Sequence, residues 1–276
     1  IRAFSPLNAI VRGSNEKFPK GKKWLYVGWP SKKAAEYYGL NYEKLKESII
    51  GGISVPIEYL NELTMTLSKK FKNAKIVRVR DDLGTDFWVD VENRSCERDY
   101  GSISLDHVSK GYLGSNLPAG EIAFPPNETK GEGKFFCPIT MNVFSQKILK
   151  NVTLEFKQGK LLIDKITLDG DLEDLLHTFK KCKDIDKKSD CREIRTYHIA
   201  ELGMGCNPKI NNGIGYILTD EKMSGSVHLA FGDNLSFGGT SSSSLHWDFV
   251  SSPKANIIVE YQDGTTRKLM VDGAWQ

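Results

Sequence analysis

Residues 201–250 read ELGMGCNPKINNGIGYILTDEKMSGSVHLAFGDNLSFGGTSSSSLHWDFV. Glu201, His228, His246 and Asp248 stand here among glycines and serines, and they offer the nitrogen and oxygen donors that a hard or borderline divalent metal takes. The reading turns on the His-x-Asp pair. Successive side chains of an extended strand alternate between faces, so His246 and Asp248 can reach one ion while Trp247 turns the other way. A metal site built on strands is the first expectation.

The segments upstream supply partners for such strands. WLYVGWP (24–30) reads as a short apolar strand ended by proline. SKKAAEYYGLNYEKLKESIIGG (31–52) reads as one or two helical turns broken at Gly39, then a helix capped by Asn41 and stopped by Gly51 and Gly52. VPIEYLNELTMTLSKKFKNA (55–74) is amphipathic, with Ile57, Leu60, Leu63 and Leu67 on one face. KIVRVRD and TDFWVDV alternate apolar with polar around a DLG turn and should pair as a hairpin. The glycine- and proline-rich NLPAGEIAFPPNETKGEGKFF (116–136) reads as a fixed loop. VTLEFKQGKLLIDKI is a strand, a turn at Gln158-Gly159 and a second strand. DLEDLLHTFKKCK is a helix begun by acids and ended by lysines. ANIIVEYQDGTTRKLMVDG closes as a hairpin on Asp263-Gly264. Strands paired by turns, with helices grouped early, indicate an α+β fold of mixed or antiparallel sheets, one metal-binding catalytic domain across residues 1–276.

Composition narrows the function classes. The chain has 276 residues, 39% hydrophobic and 26% charged, enough to bury a full core. Its 38 basic and 35 acidic residues leave a net charge of +3, too near balance to argue for a nucleic-acid or membrane partner. Cys96, Cys137, Cys182, Cys191 and Cys206 are odd in number and show no close pairing, so they read as reduced thiols of a cytoplasmic protein. No apolar run approaches the ~20 residues needed to cross a bilayer.

Two further acids complete the candidate set. Glu201 lies in AELGMGCNP, where Gly203 and Gly205 let the backbone turn beside the carboxylate. Burying it is costly unless something positive balances it. The competing reading is a pair with an arginine or a turn cap. Glu121, in NLPAGEIAFPP, is a single charge in a rigid apolar loop, the kind of place where sites are built, although most loop glutamates are plain surface acids. His107 and His177 read as structural, and His198 as a residue that could touch ligand or substrate. The run Ser241 to Ser244 lacks a G-x-S-x-G elbow and reads as a flexible polar loop.

Five blocks occur in one order: GTDFWVDV, NLPAGEIAFPP, AELGMGCNP, the segment from DEK to HLAFG, and LHWDFV. Together, from about Trp24 onward, they resemble the M29 metallopeptidases, the thermophilic-type aminopeptidases T and S. The resemblance implies two divalent ions (zinc, cobalt or manganese) held by Glu121, Glu201, His228, His246 and Asp248, a peptide substrate and a homodimer. Glu201 is the carboxylate expected to bridge the ions. A further carboxylate must carry the proton to the leaving amine, and Glu221 in TDEKMSG is the nearest in sequence, with a plain surface acid as the competing reading. The family's additional N-terminal α/β domain is expected to lie mostly upstream of this chain, which opens IRAFSPLNAIVRG without methionine. Where those peptidases carry a tyrosine after the histidine of an HLALG-like block, this chain offers Phe231 and Phe237. The segment HLAFGDN-x-x-FGG also resembles the iron-dependent 2,5-dihydroxypyridine dioxygenases. That branch implies one Fe(II) on His228, His246 and Asp248, with no required role for Glu121 or Glu201. A non-enzymatic relative is the third expectation.

Overall fold

The computed structural model describes residues 22–109, 113–188 and 195–276, so the opening segment and Cys191 lie outside it. Most of the strands form two antiparallel sheets. The large one has nine strands, in the order Thr167–Asp169, Ile148–Lys157, Gly131–Met141, Asp86–Asp90, Ala74–Arg80, Asn256–Tyr261, Thr266–Val271 and Ala274–Trp275, with Lys160–Leu161 beside Ile148–Lys157. The smaller has five: His246–Val250, Val227–Gly232, Ile199–Gly205, Glu121–Phe124 and Glu97–Asp99. A parallel ribbon pairs Trp24–Val27 with Gly114–Leu117. The α+β class follows from these sheets and the helices that flank them.

Local chemistry accounts for the hairpins. In Ala74–Arg80, Val77 and Val79 are buried while Arg78 and Arg80 are exposed, the period of two that a half-covered strand needs. The partner Asp86–Asp90 pairs with it antiparallel. At the Gln158-Gly159 turn both residues have positive φ (51° and 71°), the geometry that a two-residue hairpin requires. Asn256–Tyr261 and Thr266–Val271 pair as expected. Asp171 caps the helix Leu172–Asp186, accepting from the Asp174 amide at 3.0 Å.

One core lies between the two sheets. Val77, Val89, Phe135 and Leu154 from the large sheet join Phe124, Leu202, Leu229, Phe231, Trp247 and Phe249 from the small one. Phe179 of the helix Leu172–Asp186 stacks on Trp247 with centroids 5.5 Å apart. Each such side chain contributes about 1.5–3 kcal/mol on burial. None of the described helices is long and apolar enough to cross a membrane.

Three expectations are corrected. The helix Tyr42–Ile53 runs through Gly51 and Gly52 and is not stopped by them. A Cβ at Gly52 would stand 2.6 Å from Pro118 Cβ and 2.8 Å from Ile210 Cδ1, so glycine there permits a close approach. The segment 116–136 is not one loop. It completes the strand Gly114–Leu117, contains the strand Glu121–Phe124 and opens Gly131–Met141. The serines 241–244 are tied down rather than flexible: Ser241 Oγ donates to Gly232 O (2.5 Å), Ser243 Oγ to Asp186 Oδ2 (2.6 Å), and the Ser244 amide to Asp186 Oδ1 (2.6 Å).

Candidate metal centre

The five-stranded sheet has two unlike faces. One carries Ile122, Phe124, Leu202, Met204, Leu229, Phe231, Trp247 and Phe249, all buried. The alternate positions hold Glu121 and Ala123, Glu201, Gly203 and Gly205, His228, Ala230 and Gly232, and His246 and Asp248. Register brings the polar ones together. Glu201 and Asp248 both face Ala230, Gly203 faces His228, and Gly205 faces Glu121, which faces Asp99. The small residues make room. A Cβ on Gly203 would lie 1.9 Å from His228 Nε2, so the imidazole rests where a side chain would otherwise stand.

All five candidate ligands converge. His228 Nε2 lies 3.4 Å from Glu201 Oε1 and 3.5 Å from Glu121 Oε2; His246 Nε2 lies 3.1 Å from Glu201 Oε2 and 3.5 Å from Asp248 Oδ1. They form two overlapping groups, Glu121 with Glu201 and His228, and Glu201 with His246 and Asp248, each with donor atoms within 4.8 Å of one another. Glu201 is common to both, one oxygen toward each imidazole. Trp247 points into the core on the other face.

The donor set suits divalent cations. Glu121 Oε2 and Asp248 Oδ1 are buried oxygens with no hydrogen-bond partner among the described residues, a costly arrangement that a coordinated cation would relieve. His246 Nδ1 meets the Asp233 carbonyl oxygen at 2.7 Å, which fixes the ring and turns Nε2 toward the carboxylates. Electrostatics agree. Burial alone would lower the His228 pKa, yet the Glu201 hydrogen bond and the surrounding carboxylates push it up to about 9. His246 is raised in the same way, by Asp248 and Glu201 against burial. Glu201 is held well below the carboxylate range, because the hydrogen bonds and charges of both imidazoles more than offset burial. Burial raises Glu121 to about 8 in spite of Lys222. The box attracts positive charge.

Glu221 is not a surface acid: its side chain is only 12% exposed and accepts from Lys222 Nζ at 2.9 Å. Two residues escaped the sequence reading. Lys222 is fully buried, 2.5 Å from Glu121 Oε1 and 3.7 Å from Asp99 Oδ2, and Asp99 also accepts from Ser115 Oγ (2.7 Å) and the Asn116 amide (3.2 Å). The other histidines stand apart. His107 packs on Tyr100 (centroids 5.4 Å), His177 is exposed, and His198 Nδ1 meets the Glu128 carbonyl oxygen at 2.9 Å. Phe231 faces the core, not the site, and the Phe237 side chain is outside the described set.

Wild-type AmpT from Thermus thermophilus has a similar fold, with a TM-score of 0.64 at 19% identity over 85% of this chain and 58% of that one. The present chain therefore spans somewhat less than three fifths of it. The structure of 2,5-dihydroxypyridine dioxygenase from Pseudomonas putida KT2440 is also similar, with a TM-score of 0.60 at 17% identity over 91% of this chain and 71% of that one. No curated protein sequence matches the chain. The family described as thermophilic metalloprotease (M29) matches residues 13–275, nearly the full length, and the chain belongs to that family.

Proposed function

We propose that this chain carries the catalytic centre of a metal-dependent aminopeptidase that holds two divalent ions. Glu121, His228 and Glu201 Oε1 would hold one, and Glu201 Oε2, His246 and Asp248 the other. The observation that carries the reading is the position of Glu201, with its oxygens 3.4 and 3.1 Å from two different imidazoles. Charge supports it. Of the clustered carboxylates Asp99, Glu121, Glu201, Glu221 and Asp248, Lys222 pairs with Asp99, Glu121 and Glu221, and with the carboxylates ionised and the imidazoles neutral, as metal ligation requires, two divalent ions would cancel the negative charge that this ammonium leaves. A single ferrous ion would leave half of it uncompensated. The iron reading would also need His228, His246 and Asp248 around one centre, whereas Glu201 stands between the imidazoles.

Bound divalent ions of this kind polarise a peptide carbonyl and make water acidic enough to attack at neutral pH. The chain's own residues do the rest. Lys222 engages Glu221 at Oε1 and leaves Oε2 to take a proton and return it to the leaving amine. Burial, reinforced by the Asp248 charge, raises the Glu221 pKa and suits it to that exchange. Both histidines are locked by their strands, and the Asp233 carbonyl holds His246 in the right tautomer. The remaining parts of the reading are a peptide substrate, a homodimer and a reducing cytoplasmic compartment. Cys96, Cys137, Cys182 and Cys206 all being free supports the last.

Metal analysis of the purified chain, beside an assay on aminoacyl-anilides, tests the proposal. Two equivalents of zinc, cobalt or manganese and hydrolysis that vanishes in His246→Ala are expected. Full activity of His246→Ala after chelation would sink it. One ferrous ion with oxygen uptake would favour ring cleavage, and a chain that retains no metal would favour a non-enzymatic relative.

A further inference from the structure

Lys222 does more than balance charge. Its ammonium is fully buried and held by Glu121, Glu221 and Asp99, and such a cation is stable only because all three carboxylates stay in place. The backbone keeps it there. The Asn207 amide donates to the Lys222 carbonyl at 2.9 Å, and Gly205 lies so close beneath that a Cβ would stand 2.2 Å from Met223 O. The ammonium therefore sits permanently on one side of the ligand cluster. Glu121 Oε1 is committed to it, and only Oε2, 3.5 Å from His228 Nε2, remains for a metal. Across the cluster the situation differs: among the described residues no lysine or arginine pairs with Glu201 or Asp248.

We propose that Lys222 is a positioning residue that makes the two metal positions unequal, so that the one built on His246 and Asp248 fills first. The position built on Glu121 and His228 then fills second and exchanges more readily. Two effects act in one direction: a fixed positive charge repels an incoming cation at short range, and it occupies half of the Glu121 carboxylate. This inference rests on the two-ion reading above.

Calorimetric titration of the metal-free chain with Mn(II) or Zn(II) at one fixed pH is the test, with the metal content of each step counted after dialysis. The wild type should show two steps at least tenfold apart, and Glu121→Gln should remove the weaker one alone. Lys222→Met should tighten the weaker step at least tenfold and draw the two together, while Lys222→Arg, which keeps the charge, restores the gap. Asp99→Asn, which leaves the ammonium less compensated, should widen the gap, and it serves if the Met variant does not fold. Two equal wild-type steps, an unchanged or weakened second step in Lys222→Met, or a tightened one in Asp99→Asn would overturn the inference. Fewer than two ions on the wild type would overturn the two-ion reading, and this inference with it.

Discussion

The two sheets face each other across one core, yet they are built on different rules. In the large sheet the inward positions include Val77, Val79, Phe135 and Leu154, and on the strand Ala74–Arg80 the outward Arg78 and Arg80 are exposed. The small sheet is as apolar on its inner face, but its outer face is stripped to Ala123, Gly203, Gly205, Ala230 and Gly232 around the carboxylates and imidazoles. Each glycine there admits something specific. Gly203 admits the His228 ring, and Gly205 admits the backbone of Lys222 and Met223. Stability therefore resides in the shared core, and chemistry occupies a face that gains little from burial.

The largest effects should separate these roles. Phe135→Ala, in the heart of the core, should cost about 3–5 kcal/mol of unfolding free energy while leaving metal stoichiometry per folded molecule unchanged. Urea unfolding and metal analysis on one preparation check both halves; loss of an ion in this variant would erase the distinction between the sheets. Gly203→Ala should do the opposite. Its new methyl must displace His228 Nε2, so binding at the Glu121 position should weaken about 10–100-fold, roughly 1.4–2.7 kcal/mol, with a smaller loss of stability than Phe135→Ala shows. Unaltered binding in that variant would mean the imidazole does not need its seat on the strand.

The same contrast explains what could be read in advance. KIVRVRD and TDFWVDV were legible because β-branched and aromatic residues alternate with charges across a tight turn. His246 and Asp248 were legible as a pair because one strand carries both. Glu121–Phe124 was hidden: prolines on either side signal a loop, and a wholly buried strand shows no apolar-polar period. The signal it does carry is alternation in size, Glu-Ile-Ala-Phe, matched by Glu-Leu-Gly-Met-Gly in its neighbour. Lys222 could not be found that way. Next to Glu221 it looks like a surface ion pair, and its burial is decided by Asp99 and Glu121, about a hundred residues away in sequence.

A smaller effect probes the tie between the two regions. Glu128 follows the site strand Glu121–Phe124 and precedes Gly131–Met141 of the large sheet. Its buried carboxylate accepts from Arg94 Nη2 (2.8 Å), Asn234 Nδ2 (3.0 Å) and the Thr240 amide (2.6 Å). It thereby anchors the strap between the strands of His228 and His246, including Asp233, whose carbonyl orients His246. Burial alone would raise the Glu128 pKa, but the Thr240 amide, Asn234 and Arg94 win and lower it. A carboxyl whose folded pKa is depressed contributes its full stability above the unfolded value of ~4.3 and loses it as pH falls through the folded value. The stability gap between wild type and Glu128→Gln should thus be flat from about pH 7 to 5 and shrink below about 4. Ligand protonation affects both chains equally and cancels in the difference. Unfolding curves at several pH values decide it: a gap that stays constant down to pH ~3 would mean that the anchor works through shape alone, and that the strap owes nothing to the charge on Glu128.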